Sequence, residues 1–175
     1  IIATTRPETM LGDTAVAVNP KDKGYKNLVG KIVILPIQNK EIPIISDRAI
    51  DQKFGTGAVK VTPAHDLIDW EIKERHQLKV IKIINERGLM TKESKICQGL
   101  KVGECREVVI KELEKENIIE KIEDYPHPLP CCYRCSAILE PLPSKQWFLK
   151  MEELAKVAIT AVKSNKVKFR PKKWE

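Results

Sequence analysis

Residues 55–71 read "GTGAVKVTPAHDLIDWE". Two glycines frame a turn, and the short β-forming run "AVKVT" follows. Pro63 ends that run, because proline has no N–H to give to a ladder. Asp66 then opens "DLIDWEIKERHQL". Its apolar positions Leu67, Trp70 and Ile72 suit a helix, with Glu71 and Arg75 paired four apart. The stretch therefore reads as turn, strand and helix start, and polar residues gather on it. Lys60 and Thr62 project from one face of the strand. Asp66 and Asp69 are neighbours on the first helical turn. Asp66 is a natural N-cap, and Asp69 stands where a capping-box acid would. For Asp69 a second use is open: a carboxylate beside a lysine and hydroxyls can hold an ammonium or orient a water.

Upstream, "TTRPET" (residues 4–9) is a second polar cluster. A threonine-rich turn around Arg6 suits a phosphate or a carboxylate, because guanidinium is a rigid, permanently charged fork. Thr4, Thr5 and Thr9 add hydroxyls. The plain alternative is a turn whose threonines satisfy backbone groups while Arg6 stays on the surface.

The rest of the chain supplies many short strands and few helices. Residues 1–18 read as strand, turn, strand, and "KIVILP", "EIPIIS", "KVIKII" and "IIEKIEDY" read as further strands. "GECREVVIKELEKEN" is the clearest amphipathic helix, with Cys105, Val108, Val109 and Leu113 on one face. "MEELAKVAITAVKSN" is a last helix, with Leu154, Ala155, Ala158 and Val162 expected inward. From Pro126 the texture turns proline-rich and cysteine-bearing. The expected division is a core over 1–125 and a connector with a terminal helix over 126–175. Strands and helices do not alternate strictly, so the expected class is mixed α+β: a curved, β-barrel-like sheet flanked by α-helices.

The 175 residues carry 31 Lys plus Arg against 24 Asp plus Glu, a net charge of +7 that favours a polyanionic partner, nucleic acid first. No apolar run is long enough to span a bilayer, so no membrane partner is expected. The chain starts at Ile1 within a strand-like run and reads as a piece of a longer protein. With five cysteines and no secretory pattern, reduced thiols in a cytoplasmic setting are expected rather than a disulfide framework. Cys132 and Cys135 form one C-x-x-C pair, half of what a structural zinc site needs. No metal is expected there, and those two thiols are the weak candidates. Phosphate loops and serine-hydrolase elbows are absent, so any hydrolysis here uses a bound water and positioned polar groups.

Two longer segments narrow the reading. "ATTRPETMLGDTAVAVNPKD" and "GTGAVKVTPAHDLIDWEIKERHQL" resemble the signature segments of the editing insertion of valyl-tRNA synthetases, and "LEPLPSKQWFLKM" resembles the stretch by which that insertion returns to the catalytic core. The leucine and isoleucine enzymes share the theme. In the leucine family the first motif more typically reads T-T-R-P-D-T-L-F-G, so "TTRPETMLGDT" favours valine.

The resemblance implies the fold of class I synthetase editing domains and hydrolysis of threonine wrongly attached to valine tRNA. It implies a catalytic and pocket group of Lys60, Thr62, Asp66 and Asp69, and a substrate-binding group of Thr4, Arg6, Thr9 and Asp69. Asp69 would take the substrate ammonium and hydroxyl. Arg6 and Lys60 would hold the terminal adenosine and its phosphate. Thr9, Thr62 and Asp66 would shape the pocket and position the water. Implied partners are the 3′ end of valine tRNA carrying threonine and the parent catalytic domain, with no DNA. No cofactor is implied for this chain, while ATP and Mg2+ serve the parent enzyme. Two other readings are an editing domain of a leucine or isoleucine enzyme, and a non-catalytic tRNA-binding module stapled by zinc.

Overall fold

The computed structural model describes residues 1–171 and residue 173. It divides into two compact units, Ile1–Pro143 and Ser144–Glu175. The first holds strands β1 (Ala15–Val18), β2 (Ile32–Leu35), β3 (Lys40–Ser46) and β4 (Ala58–Val61) and helices α1 (Leu67–His76) and α2 (Val102–Lys115). The second holds helix α3 (Glu152–Lys163).

The four strands form one mixed sheet in the order β2-β3-β1-β4. β1 runs parallel to β3, with Val16 opposite Ile44, and antiparallel to β4, with Val16 opposite Lys60. β2 runs antiparallel to β3. The class is the mixed α+β of the sequence reading. The sheet is open rather than closed into a barrel, since β2 and β4 are its edges.

Glycine is required at the turn before β4. Gly57 has φ +78°, and a Cβ there would lie 3.0 Å from an Asp22 carboxylate oxygen and 3.2 Å from the Gln52 carbonyl. The turn delivers β4 beside β1, and the two strands divide their side chains between faces. Ala15, Ala17 and Val61 bury against Ile72 of α1 and Ile50. Val18 and Ala58 pack with Ile44 in a separate cluster, edged by Val16. Lys60 lies opposite Val16 across the ladder, so it leaves the sheet on the face away from Ile72. Ile72 is fully buried and contributes about 2 kcal/mol of burial. Leu67, the first apolar position of α1, is exposed.

A second core joins Leu11, Ile83, Ile84 and Met90 to Cys105 and Val109 of α2. Here the apolar stripe read from the sequence holds: Cys105 and Val109 are buried, and Val108 and Leu113 half-buried. "KVIKII" is not a strand. It makes one isolated bridge, Ile84 with Met90, and the Ile83 N–H goes to a histidine ring instead of a ladder. Residues 1–6 and "IIEKIEDY" form no strand either, and a 3-10 turn, Pro7–Gly12, leads into β1. Residues 126–143, expected to belong to the connector, lie within the first unit. Cys97 and Cys105 form a disulfide beneath α2, against the expectation of reduced thiols. In the second unit no residue of α3 is buried, so Leu154 and Val162 meet no core there.

Asp47 fastens α1 to the end of β3. Its carboxylate receives Arg75 Nε at 2.9 Å and Arg75 NH2 at 3.0 Å, lies 2.9 Å from His76 Nε2, and caps the Ala49 N–H at 2.9 Å. Burial alone would raise its pKa, but the Arg75, Ala49 and His76 contacts outweigh burial and hold it at about 2. A depressed carboxylate pKa contributes stability above its unfolded value, near 3.9. That contribution is lost as pH falls through about 2. We expect Asp47→Ala to cost about 2 kcal/mol at neutral pH and much less near pH 2. Denaturant titrations of both chains at the two pH values measure this, and an equal cost at both contradicts it.

Candidate functional site

The polar cluster forms where the 3-10 turn, the end of β4 and the start of α1 meet. Lys60 is its hub. Lys60 Nζ donates to Thr9 Oγ1 and to Thr62 Oγ1, both at 2.6 Å, and lies 3.5 Å from Asp13 Oδ1. Its side chain is 13% exposed, so this is a largely desolvated ammonium among oxygens.

Asp69 reaches the same place from α1. Its Oδ2 accepts the Thr62 N–H at 2.7 Å, a buried bond that ties helix to strand end. The capping-box role open to Asp69 in the sequence is therefore not the one it takes. Burial raises its pKa to about 6, against the lowering effect of the Thr62 N–H and with the Asp66 charge adding to the rise. Asp66 is the N-cap, accepting from Ile68 N at 2.8 Å and Asp69 N at 3.1 Å. One carboxylate oxygen serves both bonds, and the residue is exposed.

The first motif is held differently. Thr9 is buried, and its hydroxyl donates to the Arg6 carbonyl at 3.0 Å. Thr4 is exposed and accepts from the Arg6 N–H at 3.0 Å. The Arg6 guanidinium is occupied within the chain: NH1 donates to the His65 carbonyl at 3.1 Å, NH2 pairs with Glu140, and Nε lies 3.5 Å from Glu8. The structure thus brings Thr9, Lys60, Thr62 and Asp69 into one connected group, places Asp66 at its edge as a cap, and puts Arg6 and Thr4 on the outer side of the 3-10 turn.

Two residues of the site were not singled out from the sequence. Asp13 is 2% exposed, accepts the Thr62 hydroxyl, and has its pKa raised by burial to about 6 despite the nearby Lys60 charge. Its only signal was position: a carboxylate between buried Leu11 and the apolar run "AVAV" has to find a partner inside. His65 is 1% exposed. Its Nε2 accepts the Ile83 N–H at 3.1 Å, which leaves the ring proton on Nδ1, facing the Pro141 carbonyl at 3.2 Å. Burial holds it neutral, with a pKa down at about 4. It joins three segments and is unsuited to moving protons at neutral pH.

Cys132 and Cys135 are free thiols, as is Cys131. The backbone N–H groups of Arg134 and Cys135 lower the Cys132 pKa. Among the described residues no three His, Cys, Asp or Glu side chains are grouped to hold a metal ion. No helix among them is long and apolar enough to cross a membrane.

The arrangement suits hydrolysis of a polar, amine-bearing acyl ester. Asp69 offers charge to an ammonium, and Thr9 and Thr62 offer oxygens to a hydroxyl or a water.

Comparison with known proteins agrees with the geometry. A family model described as "Leucyl-tRNA synthetase, editing domain" matches residues 15–124. The chain is 53% identical over 173 residues to a valine--tRNA ligase of Dehalococcoides mccartyi, 50% over 174 residues to one of Thermotoga maritima, and 51% over 174 residues to one of Clostridium tetani. Each alignment takes in 99% of this chain and 20% of the relative, so the chain spans about a fifth of the length of these curated ligases. The fold matches the crystal structure of GlLeuRS-CP1 with a TM-score of 0.54, at 17% identity, over 70% of this chain and 83% of that one. The open mixed sheet, the polar junction of β4 with α1 and the matched family model together place this chain in the leucyl-tRNA synthetase editing-domain family, as an editing domain of an aminoacyl-tRNA synthetase.

Proposed function

We propose that this domain clears threonine from mischarged valine tRNA, as part of a cytoplasmic valine--tRNA ligase. Water attacks the ester carbonyl carbon, the bond to the terminal ribose oxygen breaks, and that oxygen takes a proton. Free threonine and intact tRNA leave. ATP and Mg2+ belong to the parent catalytic domain and not to this step.

The observation that carries the reading is the Lys60 hub, with Thr9, Thr62 and Asp69 fixed around it. Valine and threonine are nearly the same shape. An apolar pocket sized for valine rejects threonine only weakly, the valine enzymes being themselves the standard case of this limit. A polar pocket separates the two in the other direction. Threonine brings a hydroxyl that pairs with the site, and valine leaves buried polar groups unpaired. Asp69 takes the substrate ammonium, and Thr9 and Thr62 meet the hydroxyl and the water. Asp66 supports Asp69 by capping the helix that carries it. Lys60 anchors both threonines and directs positive charge at the reacting ester. Arg6 and Thr4, on the outer side of the turn, receive the terminal adenosine and its phosphate, with Glu140 yielding the guanidinium. The net charge of +7 suits a tRNA partner.

The test is accumulation of the wrong product. Given threonine, ATP and valine tRNA, the full-length ligase keeps threonyl-tRNA at background. Its Asp69→Ala variant accumulates threonyl-tRNA while valine charging is unchanged. A variant that accumulates none contradicts the reading.

A further inference from the structure

Thr62 has one hydroxyl proton, and the structure shows where it goes. Lys60 Nζ, which can only donate, contacts Thr62 Oγ1 at 2.6 Å, so Thr62 accepts that bond. The Thr62 proton is then directed to Asp13 Oδ1. Thr9 is set the same way: it accepts from Lys60 and donates to the Arg6 carbonyl. Both hydroxyls have therefore committed their protons away from the pocket. Each retains one lone pair and no proton for a substrate.

We infer that Asp13 is a positioning residue of the editing site, which takes the Thr62 hydroxyl proton and so makes Thr62 an acceptor that selects substrates able to donate a hydrogen bond. The inference rests on the function proposed above and goes beyond it in naming the polarity of the pocket. A threonine hydroxyl or an attacking water donates to Thr62. The valine side chain has nothing to donate.

Asp13 is placed for this contact. Its own backbone is already satisfied, the N–H by the Met10 carbonyl at 2.9 Å and the carbonyl by Lys40 Nζ at 3.4 Å. Lys60 faces its carboxylate at 3.5 Å, and Lys40 adds positive charge nearby. The hydroxyl it receives is one of the two that Lys60 holds. The raised Asp13 pKa fits a carboxylate held in a dry place for the sake of that contact.

The test is a double-variant cycle in the full-length ligase, read as single-turnover threonine release with tRNA concentration varied. Asp13→Leu, which keeps the branched shape and removes the acceptor, lowers the maximal rate about tenfold or more and leaves KM for the charged tRNA unchanged. Thr62→Val, which removes the hydroxyl at nearly constant shape, lowers the rate by itself. Adding Asp13→Leu to Thr62→Val then changes the rate by less than about threefold, because Asp13 acts through the group already removed. A merely structural Asp13 gives losses that multiply, and that result, or a wild-type rate for Asp13→Leu, overturns the inference.

If the unmodified ligase releases no threonine, the substrate reading fails on its own account. The inference is then decided by carboxyl 13C NMR of Asp13 in this chain. Thr62→Val raises the Asp13 titration midpoint if the hydroxyl donates to the carboxylate, and an unmoved midpoint overturns the inference.

Discussion

Replacing Asp69 with asparagine in the full-length ligase slows threonine release from mischarged valine tRNA by about a hundredfold. Asparagine keeps a carbonyl oxygen for the Thr62 N–H, now held at 2.7 Å, so strand and helix stay joined. What goes is the negative charge in a site where Asp69 is 6% exposed. A hydrogen bond to a charged partner contributes about 1.5–3 kcal/mol. At about 1.4 kcal/mol per tenfold, the upper half of that range gives the expected loss.

The same carboxylate sets a pH dependence. Burial lifts its pKa to about 6, so threonine release falls as pH drops through that value. The stability effect has the opposite sign. The folded state holds this proton more tightly than the unfolded chain, whose value is near 3.9, so stability falls as pH rises from about 4 to about 6 and is level above. An ionised Asp69 thus works against the fold at the pH where it serves the reaction. Single-turnover release at a series of pH values measures the first effect, and denaturant titrations at the same values measure the second. A wild-type rate for Asp69→Asn, or no decline below pH 6, contradicts the assignment.

Arg106→Met destabilises the chain by about 3 kcal/mol. Glu8 is fully buried, and Arg106 closes a fork on it from α2, Nε at 2.9 Å and NH2 at 3.1 Å. Methionine keeps the aliphatic stem and removes the charge. Among the described residues Glu8 is then left with only the Arg6 Nε, 3.5 Å away, on a guanidinium that already pairs with Glu140 and the His65 carbonyl. A buried carboxylate stripped of its main partner is among the costlier single changes. Adding Glu8→Gln restores part of the loss, since the uncompensated charge is gone. Chemical unfolding of the two variants measures this, and a cost below about 1 kcal/mol contradicts it. The effect reaches the site, because Glu8 and Thr9 share the 3-10 turn that carries the threonine hydroxyl to Lys60.

The parts of this design legible in the sequence are those set by short-range rules. Residues two apart on a strand share a face, so the sequence alone puts Lys60 and Thr62 together. The cap at Asp66 followed from its place before an apolar helix. Longer-range matters were not legible. Arg6 reads as a free guanidinium in "TTRPET", and only the fold shows that Glu140 occupies it. Asp13 is a lone carboxylate in sequence, and its meaning depends on β1 lying beside β4. "KVIKII" has the composition of a strand, but His65 takes the Ile83 N–H. The α3 stripe is amphipathic in sequence, yet helical period alone does not say what an apolar face will meet.

The central claim is that a polar pocket tells threonine from valine by a donated hydroxyl. The direct measurement is single-turnover release of amino acid from valine tRNA charged with threonine and, separately, with valine, by the full-length ligase. The account predicts fast threonine release with valine left on the tRNA. Equal rates for the two, or release of valine in preference, would contradict it.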